Sequence, residues 1–219
     1  MIKLLIFDLD GTLVDSSRDL TNALNYAVGP YGFEKLTVEK TKDLVGEGIT
    51  RLIEKLLGPQ HAGIMPDVMD RFMEFYSAHL VDYTKPYPGV PETLEALRDY
   101  KKAVISNKRE SLSKRVLREL GLLHHFDVVL GGDSTEEKKP SPKPLIKAVE
   151  MLSGRPEETV IVGDSNYDIE AGKAAGVRTI AVSYGYRDVG LLQDADRIMN
   201  EFADLRNILG IFNADRNNP

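Results

Sequence analysis

The chain has 219 residues, 42% of them apolar and 28% charged, with a formal net charge of −6 and no cysteine. That length holds one large domain or two unequal ones around a buried core, and the lack of cysteine excludes disulfides, thiolate chemistry and cysteine-ligated zinc. The acidic balance, without clustered basic residues, argues against nucleic acid or anionic membrane as partner. No apolar stretch reaches membrane-spanning length, and residues 1–7 are too short and too sparsely basic for a signal peptide, so a cytoplasmic enzyme or binding protein is expected.

Residues 3–7, 102–106, 127–131, 159–163 and 178–183 read as short buried strands, all but the first preceded by helical patterns, as βαβ units of a mostly parallel sheet require. Between the first two strands, residues 16–82 carry no strand pattern. They carry three helical stripes instead: Leu20, Ala23, Leu24, Ala27, Val28; Ile49, Leu52, Ile53, Leu56, Leu57; and Val68, Phe72, Phe75, Tyr76, His79. The spacing predicts an inserted helical domain over 16–82, with 1–15 and 83–219 forming the core and Pro86, Pro88, Gly89 and Pro91 marking the return. The insert leaves beside the end of the first strand and is expected to cover it as a lid. Further helices are expected around Leu94 and Leu97, over Leu112, Val116, Leu117 and Leu120 with Gly121 closing, over Ile146, Val149, Glu150 and Leu152, and from Asp168 to Ala175 with Gly176 closing. The tail from Asn213 onward is polar and expected to fray.

Chemistry gathers at strand ends, where open parallel sheets bind ligands. Asp8 and Asp10 follow the first strand and precede Gly11 and Thr12. Alone, they make an Asp-Gly turn beside a helix cap as readily as a site for a hard cation and an anion. Ser106 and Asn107 close the second strand, as helix caps or as donors to an anion. Lys138, Lys139 and Lys143 lie in a proline-stiffened loop and are equal candidates to neutralise phosphate. Asp164 follows the fourth strand, and Asp168, four residues on, shares its helix face. Asp8, Asp10 and Asp164 can supply the oxygens that Mg²⁺ prefers. His61, His79, His124 and His125 show no ligand spacing with acids and are expected to be structural or on the surface.

DLDGT at 8–12, Ser106, Lys139 before Pro140-Ser141-Pro142, and GDSNYD at 163–168 occur in the order of the haloacid dehalogenase superfamily of phosphohydrolases, which the chain resembles over nearly its whole length. The resemblance implies a Rossmann-like α/β core with a helical cap inserted after the first strand. It implies Asp8 as nucleophile forming an aspartyl-phosphate and Asp10 as general acid, then base. It also implies Mg²⁺ held by Asp8, the Asp10 carbonyl and Asp164, with Asp168 orienting a ligand or water. Ser106, Asn107 and the 9–12 backbone, with Gly11 and Thr12, would hold the phosphoryl oxygens, and Lys139 would neutralise charge.

Within the superfamily, residues 45–58, 86–90, 104–108 and 183–188 are similar to the phosphoglycolate phosphatase group. Gly46, Glu47 and Gly48 at a helix start, with Arg51 one turn on, are candidates to hold a small carboxylate, as against a plain helix start with a solvated arginine. The expectation is a phosphatase of small phosphorylated metabolites, 2-phosphoglycolate first. Inorganic pyrophosphatase, phosphosugar mutase and a catalytically idle phospholigand sensor are the alternatives, and monomer and homodimer are both open.

Overall fold

An apolar run without alternation fits a strand covered on both faces, and in the computed structural model, which describes residues 1–214, that run is β1 (Leu4–Phe7), buried throughout. The chain continues through β2 (Val14–Asp15), α1 (Ser17–Val28), α2 (Val38–Leu44), α3 (Ile49–Leu57), α4 (Met65–Ala78) and β3 (Lys85–Pro86). It then runs through α5 (Val90–Ala96), β4 (Lys101–Ile105), α6 (Glu110–Glu119), β5 (Val128–Leu130), α7 (Lys143–Met151) and β6 (Thr159–Gly163). It ends with α8 (Asn166–Ala174), β7 (Arg178–Val182), β8 (Arg197–Met199) and α9 (Leu205–Ala214).

Six strands form one parallel sheet in the order β5-β4-β1-β6-β7-β8. The chain builds outward from β1 on one side through β4 and β5, then crosses to the other side for β6, β7 and β8. The crevice at that reversal, beside β1, is where such sheets bind ligands. Register sets what meets there: Phe7 pairs with Val104 on β4 and with Val162 on β6. Asp8, Ser106 and Asp164 therefore emerge within one residue of the same level.

Alternation along β1 divides the interior. Leu4 and Ile6 pack with Ile105, Leu145 and Val149 on one face, and Leu5 and Phe7 join a larger core on the other. That larger core runs without a break into the helices between β2 and β3, taking in Leu24, Ile53, Phe72 and Tyr76. β2 and β3 pair antiparallel where the chain enters and leaves this helical segment. Asp19, buried in α1, fastens the exit: its carboxylate accepts the N–H groups of Tyr83 and Thr84 and the Thr84 hydroxyl, the last at 2.7 Å.

Several expectations shift. β2, β3 and the edge strand β8 were absent from the sequence reading, as were α2 and α9. On α7, Ile146 points outward at 41% exposure while Leu145, Ala148 and Val149 face the core. Asn213 and Ala214 close α9, and the Asn213 side chain accepts the Ile2 N–H at 2.7 Å, so neither frays; the rest of the expected fraying tail, 215–219, lies outside the described residues. No helix among the described residues is long and apolar enough to cross a membrane.

Candidate active site

Gly11 explains how the first acidic turn is made. Its φ of +87° suits glycine alone, and a Cβ there would lie 2.2 Å from Asp164 Oδ2. The turn closes on itself: the Gly11 N–H donates to Val14 O (2.9 Å) and the Thr12 N–H to Leu9 O (3.3 Å). Gly11 and Thr12 thus shape the turn, and neither lines the cavity beyond it. Their N–H groups are spent inside the turn.

Asp8, Asp164 and Asp168 bring carboxylate oxygens within 4.8 Å of one another, all buried. Lys139, 2% exposed, stands among them with Nζ 2.8 Å from Asp8 Oδ1 and 2.6 Å from Asp168 Oδ1, and it also donates to Ile105 O at 2.7 Å. Its three donors are all engaged. Burial alone would push Lys139 down, but the carboxylates of Asp168 and Asp8 outweigh it and hold the ammonium well above the usual lysine range. Of the loop lysines, Lys143 is on the surface with Glu136 and Glu137, and Lys138 donates to Glu47 O.

One lysine does not balance three buried acids. Desolvation pushes the Asp8 carboxyl up to about 6, against the pull of Lys139, and pushes Asp164 well above its ordinary range, with Asp8 and Asp168 adding repulsion. The donor set, all oxygen and over-rich in negative charge, fits a hard divalent cation. Asp164 is held by one oxygen, Oδ2 accepting the Tyr186 N–H at 2.7 Å, which leaves Oδ1 for a ligand. Both Asp168 oxygens are already engaged: Oδ1 takes Lys139, and Oδ2 takes the Ser165 N–H (3.1 Å) and hydroxyl (2.6 Å) in the capping box that starts α8.

Asp10 stands apart. Its Oδ1 accepts from Lys108 Nζ at 2.6 Å and from the Ser16 hydroxyl at the head of α1. Tyr186 continues that contact, its oxygen accepting the Ser16 N–H (2.8 Å) and its hydroxyl donating to Asp15 (3.2 Å). The sequence reading gave Lys108 no role. It is 5% exposed, lines the cavity, and sits 5.4 Å from the Tyr76 ring.

Ser106 lines the cavity with its hydroxyl proton uncommitted, its Oγ accepting only the Lys108 N–H at 3.3 Å. Asn107 does not offer its amide to an anion: both N–H bonds go to carbonyls, Gly46 O at 2.8 Å and Lys139 O at 2.9 Å. Neither caps α6, which begins at Glu110 with Arg109 before it.

The 45–48 loop is gripped from the sheet side. Asn107 holds Gly46 O, Lys138 holds Glu47 O, Tyr167 donates to the Glu47 carboxylate at 2.9 Å, and Arg187 donates to Lys42 O (2.9 Å) and Val45 O at the end of α2. Gly46 and Gly48 line the cavity, with φ of +129° and +80°, and a Cβ on Gly48 would lie 2.7 Å from Asn107 O. Glu47 and Arg51 do not line it. Glu47 pairs with Lys55, and Arg51 is 61% exposed and paired with Glu54 at 2.7 Å. The structure thus places those two outside the cavity, in ion pairs. The four histidines lie exposed or half-buried, though three of them come close to acids. His79 Nδ1 lies 2.7 Å from Asp82, and Glu95, His124 and His125 have ligand atoms within 4.8 Å of one another, because α5 and the turn after α6 meet only in the fold.

Comparison with known proteins gives the family. Residues 5–182 match the family model described as haloacid dehalogenase-like hydrolase. The chain is 43% identical over 187 residues to a phosphoglycolate phosphatase of Aquifex aeolicus, covering 84% of this chain and 86% of that one. It is 40% identical over 215 residues to a phosphoglycolate phosphatase of Chromobacterium violaceum, covering 95% and 96%. A crystal structure of a predicted phosphoglycolate phosphatase from Haemophilus somnus superposes with a TM-score of 0.88 at 31% identity, covering 95% and 98%. The chain belongs to the haloacid dehalogenase-like hydrolases. Within them it is an enzyme, a phosphoric monoester hydrolase of the phosphoglycolate phosphatase type.

Proposed function

We propose that the protein hydrolyses 2-phosphoglycolate with Mg²⁺, through an aspartyl-phosphate on Asp8. The observation that carries this reading is the buried cluster of Asp8, Asp164 and Asp168 around Lys139, an acid-rich centre at the mouth of β1. Asp8, the Asp10 carbonyl and the free oxygen of Asp164 would hold the metal, and Asp168 would fix Lys139 and the start of α8 without touching it. A bound Mg²⁺ supplies the charge that lets an anionic nucleophile approach an anionic phosphate.

Asp8 attacks phosphorus in line and displaces the alkoxide. Asp10, held by Lys108 and Ser16, gives a proton to the leaving oxygen and afterwards takes one from the water that cleaves the acyl phosphate. The Ser106 hydroxyl holds a phosphoryl oxygen as charge develops, and Lys139 positions Asp8 and offsets the charge of the acids around it. The helical segment 16–82 acts as a cap over this centre. Its Gly46–Gly48 turn and the start of α3 form the roof, and Leu20, Val45, Ile49 and Leu52 make its inner wall apolar. The cavity is small, about 40 Å³, and such a wall has no hydroxyl partners for a sugar ring.

A phosphate-release panel of 2-phosphoglycolate, pyrophosphate and hexose phosphates, with Mg²⁺ and with excess chelator, tests the reading. The highest kcat/KM is expected on 2-phosphoglycolate, with no turnover in chelator. A higher value on pyrophosphate would make the protein a pyrophosphatase, and full activity in chelator would remove the metal.

A further inference from the structure

We propose that Lys108 is the residue that recognises the carboxylate of the substrate, a deepening that rests on the reading of this site as one for a short phosphorylated acid. Three cations line the cavity: Lys108, Lys139 and Arg187. Two are committed. Lys139 spends its donors on Asp8, Asp168 and Ile105 O, and Arg187 gives its guanidinium to backbone carbonyls of α2 and the loop after it. Lys108 donates to Asp10 Oδ1 at 2.6 Å and meets the hydroxyl and ring of Tyr76. An ammonium has three donors, so Lys108 keeps capacity for a further acceptor while still holding Asp10.

Its position suits one class of ligand. The leaving oxygen must lie against Asp10 to receive a proton. In 2-phosphoglycolate the carboxylate is separated from that oxygen by a single methylene. The group that meets the ester oxygen and the group that meets the carboxylate must therefore be neighbours in the protein, and Asp10 and Lys108 are. Lys108 is also placed to be selective. It is 5% exposed and shielded from water, where a point charge acts strongly on a ligand anion. Arg51, the cation that the chain pattern favours for this task, is in solvent and tied to Glu54. An ester of equal length without the acid would leave Lys108 with Asp10 and Tyr76 alone.

The test compares kcat/KM for 2-phosphoglycolate and ethyl phosphate, which replaces the carboxylate by a methyl, in wild type, Lys108→Met, Lys108→Gln and Lys108→Arg, each with saturating Mg²⁺. Gln fills similar space and can still donate to Asp10, so the fold is kept if Met does not fold. Wild type is expected to prefer 2-phosphoglycolate. Met and Gln should cut that preference by about ten- to a hundred-fold, chiefly through KM for 2-phosphoglycolate, the range for a lost bond to a charged group. Arg, which retains the charge, should keep part of it. If Lys108 serves only to position Asp10, both substrates lose rate equally and the preference stays within about two-fold of wild type, which overturns the proposal alone. Wild type with no preference for the acid overturns the proposal together with the substrate reading beneath it.

Discussion

Asp8 and Asp10 are one residue apart, yet each is held by a different lysine: Asp8 by Lys139, Asp10 by Lys108. In the proposed mechanism that division would let one carboxylate attack while the other handles the proton. Asp8→Asn is expected to lower kcat by about 10⁴-fold or more, since no neighbour can replace a covalent nucleophile; a tenth of wild-type rate would contradict the role. The same residue predicts a stability signature. Its carboxyl is raised from 3.8 to about 6 by burial, so the folded metal-free protein binds this proton more tightly than the unfolded chain does. The associated stability is present at low pH and lost as pH rises through that value. Without metal, the Tm of wild type should therefore fall relative to Asp8→Asn between about pH 4 and pH 7. Parallel melting curves at both pH values would contradict the burial account. Asp164→Ala should raise the Mg²⁺ concentration needed for half-maximal rate more than Asp168→Ala, because both Asp168 oxygens are occupied by Lys139 and Ser165. Asp8, Asp10 and Asp164 were legible in the chain because they follow strands, whereas Lys139 was one of three equal loop lysines until the order of the family motifs singled it out. Lys108 was not legible, since a lysine after a strand reads as solvated until packing shows it buried. The two carbonyls that engage the Asn107 amide were not legible either, because only the fold brings them near.

At the scale of elements, the 45–48 loop decides how the helical segment sits on the sheet. Arg187→Ala removes the donors that hold the end of α2. It is expected to speed proteolysis within residues 42–48 and to raise KM several-fold with a smaller change in kcat; an unchanged cleavage pattern would refute the grip. Arg51→Ala should change neither KM nor Tm appreciably, because an exposed ion pair contributes about 0–1 kcal/mol. The orientation of Arg51 could have been read from the chain: two positions from Ile49, it falls on the other side of α3, away from the apolar stripe that forms the cavity wall. Other elements were harder. β8 is three residues at a sheet edge, α2 buries only Thr41, and β2 and β3 are two residues each, with Pro86 in the second. None carries enough periodicity to register as an element before its partner is known.

For the molecule as a whole, a continuous apolar core joins the helical segment to one face of the sheet, and the site lies at the edge of that junction. Phe72, fully buried within it, should cost about 3–5 kcal/mol on truncation to alanine. Long apolar runs and helical stripes made the sheet and the segment readable from the chain, while their shared core had no signature because it depends on how the two are set together. The most direct test of the central claim, covalent catalysis at Asp8, uses Asp10→Asn with an aryl phosphate. Its leaving group needs no acid, whereas breakdown of the intermediate still needs Asp10 as base. A burst of phenol near one equivalent per enzyme is expected, with phosphate recovered on the peptide carrying Asp8 after acid quenching. No burst, or label on any other residue, would contradict the mechanism.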